Sequence, residues 1–507
     1  MNRPAVRLVV VILLTAAAFF IRLQGLRGPD GDLGTDESRL ALAAQGVLAT
    51  GVPTLPSGRI YTRAMISAYL MAPSLWLFGP HDFAARLPST VVGALLIPVV
   101  FLFGRAVAGT AAGLCVAAFA VLQPDLIKWS DKAWMPSLFV LVFVGAAYLL
   151  YLGYGHDRPA LQVAGAGGFV VALLVHELAV LLPMAVLATL AIRAARRDRA
   201  WFAGRTSVLA FGVFGAGLAL FVALGLLLRM GTIAGSTAEF TTYFRPSLTR
   251  AGLEFYYQHL AQRYPLLLAA AALGVPLLVR SFRTGMLFLY MTMTVGVISL
   301  GFLLSKSMDR YGLMLVPLLA IIAAWALVEG AQLAAGWWKS ARASAIAPVA
   351  LFLVFGVSLR GDLEAALRPV DSLAGAWLAE FEALGPTPED LVLSDGSTIL
   401  AFYRGKVDYW ARMRNYERYA YRAGNEIREL YTGAAMVSDE RDFLRVVDAN
   451  PGRRLWYVGI LRKLLEPYNA VDPALRDRLL RTAQVSRITR DGWVILRIDP
   501  AGSEVAR

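Results

Sequence analysis

Long apolar runs recur along the first 360 residues and alternate with short polar loops. A helix needs about 20 mostly apolar residues to cross a bilayer, and by this rule the pattern predicts about eleven transmembrane helices. They cover Leu8–Leu26, Leu87–Val107, Thr110–Ile127, Met135–Leu152, Ala160–Val175, Leu178–Ile192, Ser207–Leu228, Tyr264–Val279, Gly285–Leu304, Tyr311–Val328 and Ser344–Leu359.

A shorter apolar run, Ala64–Gly79, contains Pro73 and could either cross the membrane or lie on its surface. Positive charge decides between these options, because loops rich in Lys and Arg stay in the cytoplasm. The segment Arg193–Arg205 is the most concentrated basic loop, and the N-terminus carries Arg3 and Arg7. Both are cytoplasmic only if Ala64–Gly79 does not cross.

This orientation divides the remaining loops between the two faces. The cytoplasmic face receives Arg105, Arg158, Arg280, Arg283, Lys339 and Arg342. The outer face receives the first loop (residues 27–86), the loop around Asp131, the pair His176–Glu177, the loop Arg229–Arg263, the segment SKSMDRY and the whole C-terminal region.

From Gly361 onward the apolar runs stop and the periodicity becomes that of a mixed α/β domain. We therefore expect a transmembrane domain over 1–360 and an extracytoplasmic domain over 361–507. In the second, DLVLSD and RRLWYVGI predict buried strands, DERDFLRVVDA and DPALRDRLLRTA predict helices, and VSRITRDGWVILRID predicts a hairpin across Asp491–Gly492.

The composition supports a multi-pass membrane protein, because 57% of the 507 residues are hydrophobic and only 17% are charged. The net charge of +13 does not indicate nucleic-acid binding, because the arginines lie in short loops where they set topology and meet anionic lipids. The single cysteine, Cys115, excludes an internal disulfide and a thiolate metal cluster. No cleavage site follows the first apolar run, so we expect it to be retained as a span.

Two adjacent acids follow the first span, in the stretch GTDESRLALAAQGVLATG (34–51). Apolar residues recur there at helical spacing, which predicts an amphipathic helix on the membrane surface. Asp36 and Glu37 stand at its N-terminus, where the helix dipole favours negative charge. Thr35 or Asp36 could be the N-cap, with Glu37 as a first-turn acid, so capping alone would explain both acids about as well as chemistry does.

The residues around this stretch resemble those of a known family. A first span ending in RLQGL is followed by a short loop, by DES, and by GVLATGVPTLPSGRIYTRAMISAYLMAPSLWLFGPHDFAARLPSTVVG. This order is similar to that of the bacterial GT-C glycosyltransferases of the dolichyl-phosphate-mannose-protein mannosyltransferase family, which includes the aminoarabinose transferases that modify lipid A. The resemblance is strongest over Leu8–Leu152 and continues more weakly through DRYGLMLVPLLAIIAAWAL.

The resemblance implies a glycosyltransferase of the plasma membrane. Such enzymes transfer a sugar from a polyprenyl-phosphate donor to a lipid, glycan or protein acceptor on the extracytoplasmic side. Their first outer loop carries two surface helices and an essential acid, which matches the orientation in which Ala64–Gly79 does not cross. By position, Asp36 corresponds to that acid, and Glu37 is expected to support it.

The chemistry agrees with this assignment. A polyprenyl-phosphate sugar already has a good leaving group, so the reaction needs a base that takes the proton from the acceptor hydroxyl. The departing phosphate needs cationic or N–H partners. The outer-face candidates are Arg63, Arg86, Lys132 and Arg310, and the predicted substrate-binding set also includes Tyr61 and Asp131. Asp131 and Lys132 could equally form a solvated turn, and Arg310 could be an interfacial anchor.

A metal is possible but is not required by the sequence. His176, with Asp36 or Glu37, could bind a divalent cation such as zinc or manganese. The aminoarabinose transferases carry a metal-binding acid just before the second surface helix, but this sequence has Thr62 and Arg63 there. An arginine could replace the charge of the metal at a phosphate.

The C-terminal domain holds a further candidate in SDGSTILAFYRGKVDYW. Asp395, Asp408, Tyr409 and Trp410 could line an acceptor groove, although such residues more often support turns and a core. A rival to the enzyme is a non-enzymatic polyprenyl-linked sugar binder or a flippase-like transporter, but the sequence lacks the internal repeats typical of transporters. A second enzymatic alternative is an oligosaccharide ligase or polymerase.

Overall fold

The computed structural model describes residues 4–26, 33–196, 205–228, 250–303, 308–338, 346–358, 376–465 and 471–499. The chain forms two compact units, and each is discontinuous in sequence. The first unit comprises Met1–Leu26, Leu87–Leu227 and Thr241–Pro369, and the second comprises Arg27–Arg86, Leu228–Phe240 and Val370–Arg507. The predicted domain boundary at 360/361 lies outside the described residues, whereas the first outer loop groups with the C-terminal region.

The first unit is helical. Among the described residues, seven helices are long and apolar enough to cross a membrane, or eight if the pair Arg250–Arg263 and Pro265–Ser281, bent by 105°, counts as one span. A helix lies at every one of the predicted spans, but the predicted number of eleven is not confirmed. The helices are α1 (Pro4–Gly25), α4 (Asp82–Leu122), α5 (Pro124–Ser130), α6 (Pro136–Gly155), α7 (Pro159–Val175), α8 (Leu181–Ala195), α9 (Arg205–Leu227), α10 (Arg250–Arg263), α11 (Pro265–Ser281), α12 (Thr284–Leu303), α13 (Asp309–Gly312), α14 (Leu315–Trp338) and α15 (Ile346–Ser358).

Helix α4 contains two of the predicted spans. Non-helical backbone at Ala108 and Gly109 separates them, and Gly109 has a φ of 88°, which a glycine adopts without steric cost. The two halves then pack closely, because a Cβ on Gly113 would lie 2.6 Å from the carbonyl oxygen of Phe101. The second half ends at Leu122, five residues before the predicted Ile127, because Pro124 disfavours helix at the residue before it.

The second unit begins with the two helices α2 (Thr35–Thr50) and α3 (Met65–Phe78). The N-cap of α2 is Gly34, so the prediction of Thr35 or Asp36 at that position is wrong. The Gly34 N–H is satisfied by the Glu37 side chain, which leaves Asp36 in the first turn. Helix α3 has 14 residues, fewer than the about 20 that a span needs. Its Trp76 and Leu77 are exposed, as expected of an apolar surface helix.

The rest of the second unit is a sheet covered by helices. Its strands follow the order β3 (Ala420–Ala423), β4 (Glu426–Glu429), β5 (Ala435–Val437), β2 (Tyr409–Ala411), β1 (Leu391–Ser394), β6 (Leu455–Ile460), β8 (Trp493–Ile498) and β7 (Val485–Ile488). The central strands β5, β2, β1 and β6 are parallel, and the flanking strands are antiparallel. Every segment predicted there from sequence is confirmed, including the hairpin whose turn contains Gly492 at a φ of 80°. The elements are α16 (Ala376–Ala383), β1 (Leu391–Ser394), α17 (Ser397–Arg404), β2 (Tyr409–Ala411), β3 (Ala420–Ala423), β4 (Glu426–Glu429), β5 (Ala435–Val437), α18 (Glu440–Ala449), β6 (Leu455–Ile460), α19 (Leu461–Leu465), α20 (Pro473–Thr482), β7 (Val485–Ile488) and β8 (Trp493–Ile498).

Aromatic side chains fill the core on one face of this sheet. Trp377 and Trp493 stack at 4.5 Å between ring centroids, and Trp456 is fully buried beside them. The Trp456 indole N–H donates to Asp390 Oδ2 at 2.8 Å, so its one polar atom is satisfied. This packing fixes the strands whose ends are described below.

Candidate functional site

The two acids at the start of α2 lie in different environments. The Asp36 side chain is 42% exposed, and its Oδ1 accepts from Arg39 Nη1 at 3.3 Å. Glu37 is 6% exposed. Successive residues of a helix point about 100° apart, so adjacent acids can face solvent and interior respectively. Of the two, Asp36 is the carboxylate that a substrate can reach.

Glu37 is held by a fork of hydrogen bonds. Arg86 donates from Nε to Glu37 Oε1 at 3.0 Å and from Nη2 to Oε2 at 3.3 Å, and the Gly34 N–H donates to Oε2 at 2.8 Å. Arg86 is 2% exposed. A buried bidentate pair of this kind fixes orientation. Arg86 therefore joins the end of the first outer loop to the start of α2, a role other than the predicted contact with the donor phosphate.

Arg39, which the sequence analysis did not single out, lies beside Asp36. Its guanidinium carbon is 4.8 Å from the Tyr419 ring centroid and 4.3 Å from that of Tyr431. Burial lowers the pKa of Arg39, but Tyr431 and the carboxylates of Asp36 and Glu429 outweigh it and raise that pKa above its ordinary value. The available signal was its i+3 spacing from Asp36, which places both on one helix face.

Hydrogen bonds join the first outer loop to the C-terminal sheet within the second unit. Ser38 Oγ donates to Thr398 Oγ1 of α17 at 2.9 Å, and Ser57 Oγ donates to the carbonyl of Leu430 at 2.6 Å. The Tyr403 hydroxyl accepts from the N–H of Leu33 at 3.1 Å and donates to Asp82. The first turn of α2 is thus positioned by residues more than 300 positions away.

Tyr61 and Arg63 lie between α2 and α3. Tyr61 is buried, with its ring centroid 6.3 Å from that of Tyr431, and burial raises its pKa well above the ordinary value. Arg63 is half-buried. Ala64 then has a φ of 51°, a conformation that costs a non-glycine residue roughly 1–2 kcal/mol. Tyr61 therefore packs against Tyr431. The contact of Arg63 with the donor phosphate stays a prediction.

The first unit contains a polar cluster around Asp125, which the sequence analysis placed inside a span. Asp125 is 4% exposed and accepts from Arg263 and, at 2.9 Å, from the Tyr264 hydroxyl. His259 Nε2 lies 3.9 Å from Asp125 Oδ2. Gln123 donates to the Tyr264 hydroxyl. An acid within an apolar run is itself a signal for such a cluster, because its burial requires partners.

Two predicted phosphate contacts of the first unit, Lys132 and Arg310, lie near the end of α5. Lys128 Nζ donates to Asp309 Oδ2 at 3.0 Å, and this contact overcomes burial and lowers the Asp309 pKa. The Arg310 guanidinium carbon is 5.9 Å from the Trp129 ring centroid. Lys132 follows in the next turn and is half-buried. Arg310 and Lys132 thus remain predicted phosphate contacts.

Asp131 and Arg22 occupy the end of α1. A Cβ on Gly25 would lie 2.1 Å from Asp131 Oδ2, so the carboxylate lies directly against the α1 backbone. Arg22 is fully buried and donates to the carbonyls of Ala120 and Val121 at 3.0 and 3.3 Å. It therefore satisfies the last carbonyls of α4, which helix geometry leaves without intrahelical partners. The position of the Asp131 carboxylate against the α1 backbone favours a structural role for this residue.

His176 lies at the break between α7 and α8. Its Nδ1 accepts from the N–H of Leu178 at 3.1 Å, and its ring centroid is 5.0 Å from that of Phe139. In the part of the chain that the structure describes, no group of three or more His, Cys, Asp or Glu side chains could hold a metal ion. The metal role predicted for His176 with Asp36 or Glu37 stays a prediction.

The predicted acceptor-groove residues of the sheet are mostly internal. Asp408 Oδ2 accepts from the N–H of Val392 at 2.8 Å, and Tyr409 packs against the core. Trp410 and Asp395 are each 4% exposed. A role in supporting the turns and the core of the domain accounts for these contacts.

The chain is similar to a known protein family and to solved structures. The family described as dolichyl-phosphate-mannose-protein mannosyltransferase matches residues 62–224. No curated protein matches the sequence. ArnT from Cupriavidus metallidurans bound to undecaprenyl phosphate superposes with a TM-score of 0.62 at 16% identity, covering 98% of both chains. Its apo state gives 0.59 at 16% identity, covering 96% of this chain and 97% of that one.

The Archaeoglobus fulgidus oligosaccharyltransferase in its apo form gives a TM-score of 0.55 at 11% identity, covering 93% of this chain and 72% of that one. The fold is of the GT-C type. The predicted resemblance is confirmed, and so is the fold class of membrane helices with a C-terminal sheet domain. The family match begins at residue 62, after Asp36, so the role of that acid stays a prediction.

Proposed function

We propose that the protein is a glycosyltransferase that moves a sugar from a polyprenyl-phosphate donor to a lipid, glycan or protein acceptor. The reaction takes place at the outer face of the plasma membrane, with Asp36 as the general base. The observation that carries this proposal is an exposed carboxylate at the first turn of α2 in a chain of GT-C fold. The binding of undecaprenyl phosphate by ArnT, which shares that fold, supports the donor class.

In this mechanism Asp36 accepts the proton of the acceptor hydroxyl as the oxygen attacks the anomeric carbon. The bond between that carbon and the phosphate oxygen breaks, and the phosphate leaves with the electron pair. Arg39 orients the carboxylate, since its Nη1 donates to Asp36 Oδ1 at 3.3 Å. Glu37 and Arg86 act as positioning residues, because their buried pair fixes the turn that carries Asp36.

The departing phosphate requires positive charge. Arg63, Lys132 and Arg310 remain the proposed contacts. Arg86 is removed from this set, because Nε and Nη2 both donate to Glu37. We propose no metal for this step.

The decisive test is Asp36→Asn in a strain that lacks the native gene. Asparagine keeps the size of aspartate but cannot accept the proton, so transfer should fall by ~10²–10⁴-fold. The readout is mass spectrometry of cell-envelope glycans and lipids, with wild-type chain restoring the modification. Glu389→Gln, which changes an exposed acid of the same unit, is the matched control and should restore it fully.

A non-enzymatic sugar binder makes a different forecast for the same strain. It would still bind the polyprenyl-phosphate donor, and it would not depend on the proton-accepting capacity of Asp36. Restoration of the modification by Asp36→Asn at the wild-type level would therefore overturn the assigned base. Binding of undecaprenyl phosphate by the purified variant, measured separately, shows whether donor binding survives the substitution.

A further inference from the structure

The parallel strands of the second unit end in a group of charged side chains that the proposed mechanism does not use. The chain leaves β1 at Asp395, β2 at Arg412 and β6 just before Lys463. Strand β1 pairs with β2 on one side and with β6 on the other, both in parallel. After β1 the chain passes to β2 on one side of β1, and it later enters β6 on the other side. This reversal is a topological switch point, where open α/β sheets bind ligands at their carboxyl edge.

The carboxylate at this edge is already engaged. Asp395 accepts from the Tyr457 hydroxyl at 3.2 Å and from the N–H of Ile460 at 3.0 Å, and burial raises its pKa. The Lys463 ammonium donates to the backbone carbonyl of Asp395 at 3.4 Å. Asp395 thus supports the strand ends and offsets only part of the positive charge around it.

Burial disfavours the charged forms of the cations at this edge. Burial lowers the pKa of Lys463, with Arg412 and Arg39 adding repulsion that Asp395 opposes. Burial also lowers the pKa of Arg412, which Arg39 lowers further while Tyr419, Asp395 and Glu417 raise it. Arg39 itself has two carboxylate neighbours, Asp36 and Glu429. A bound anion would relieve the repulsion among these three cations.

This edge is continuous with the first turn of α2. Helix α17 begins two residues after Asp395, and its Thr398 contacts Ser38 at 2.9 Å. The next residue, Arg39, packs on the Tyr419 ring at 4.8 Å and donates to Asp36. A ligand group at the strand ends would therefore lie on the same side of α2 as the proposed base.

We propose that Arg412 and Lys463, together with Arg39, form a subsite for an anionic group, a phosphate or a carboxylate, carried by the acceptor. This inference rests on the proposed function, because it assigns the subsite to the molecule whose hydroxyl reaches Asp36. Arginine and lysine differ in this role, since Arg412 can offer two parallel donors whereas Lys463 acts as a point charge. The same anion chemistry could belong to the donor phosphate, so the experiment must separate the two sources.

The first arm uses inorganic phosphate as the probe and the purified full chain in detergent. Titration calorimetry should show saturable binding to the wild type that Arg412→Gln and Lys463→Gln each weaken by roughly 10-fold or more, the effect of losing a charged hydrogen bond. Arg418→Gln, an exposed arginine on the same loop, is the matched control and should bind like wild type. Equal affinity in wild type and both variants, or absence of saturable binding to the wild type, would overturn the proposal.

The second arm identifies the source of the anion. Undecaprenyl phosphate should bind wild type, Arg412→Gln and Lys463→Gln equally, and inorganic phosphate should still bind when the lipid is present. If phosphate and the lipid compete, and both variants lose the lipid, the subsite belongs to the donor and the acceptor assignment is wrong. Arg412→Lys, which keeps the charge but loses the two parallel donors, should bind phosphate more tightly than Arg412→Gln and so separates charge loss from misfolding.

Failure of this inference is distinguishable from failure of the proposed function. Phosphate binding does not require Asp36 to act as a base, and Asp36→Asn removes a carboxylate that competes for Arg39, so this variant should bind inorganic phosphate at least as tightly as wild type. An Asp36→Asn strain that still modifies the envelope would remove the assigned base and leave the anion subsite supported by the binding data.

Discussion

Both units bury a carboxylate against an arginine, but in the second unit the adjacent acid stays exposed. In the first unit, Asp125 is closed in by Arg263 and Tyr264, and the carboxylate is 4% exposed. In the second unit, Glu37 is closed in by Arg86 in the same manner, but Asp36 next to it stays 42% exposed. A buried carboxylate–arginine pair contributes orientation, whereas an accessible carboxylate can exchange a proton with a substrate. The difference separates acids that build the fold from the acid that we assign to chemistry.

The assignment of Asp36 fails first if the chain has the opposite orientation in the membrane, and the test of orientation has an all-or-none outcome. In a Cys115→Ala background, Arg418→Cys in the second unit should react with a membrane-impermeant thiol reagent added to intact cells. Ala195→Cys, at the end of α8 beside the basic loop, should react only after permeabilisation. The reverse pattern would mean that the chain is inserted in the opposite orientation, so that the second unit, including Asp36, faces the cytoplasm.

The largest expected loss of stability comes from the pair Glu37–Arg86. Arg86→Ala leaves a buried carboxylate without its cation and should lower the free energy of unfolding by about 3–5 kcal/mol. Thermal denaturation of the purified chain measures this loss, with Arg418→Ala as an exposed control. The double variant Glu37→Gln with Arg86→Ala should recover part of it. If Arg86→Ala denatures like wild type, the pair does not hold the first turn of α2.

The same substitution in the two units sharpens the comparison further. Asp125→Asn removes the charge that holds Arg263 and should cost about 1.5–3 kcal/mol of unfolding free energy, the value of a charged hydrogen bond. Asp36→Asn, on an exposed side chain, should change that free energy by no more than about 0.5 kcal/mol while abolishing most transfer. Denaturation of both variants under one condition checks the contrast. A larger stability loss in Asp36→Asn would show that Asp36 is a structural residue.

The sequence by itself determined most of the architecture. Apolar runs fixed where helices form, because backbone groups inside a bilayer must be bonded within each segment. Alternation and turn residues predicted the strands and helices of the sheet domain, including the hairpin at Gly492. The acid pair in GTDES and the loop that follows it carried the resemblance to GT-C enzymes, which the fold confirms. The ends of the spans were less predictable. The helix in the predicted span Thr110–Ile127 ends at Leu122, before Pro124.

Only the tertiary structure decided the roles within the site. Asp36 and Glu37 are adjacent and chemically alike, and no local pattern says which one meets Arg86, 49 positions along the chain. Arg39 gained a role through Tyr419 and Tyr431, which lie in the C-terminal sheet. The Asp125 cluster likewise joins residues 138 and 139 positions apart. Exposure and pairing of a charge are properties of its surroundings in the folded chain, so a sequence supplies the candidates and packing selects among them.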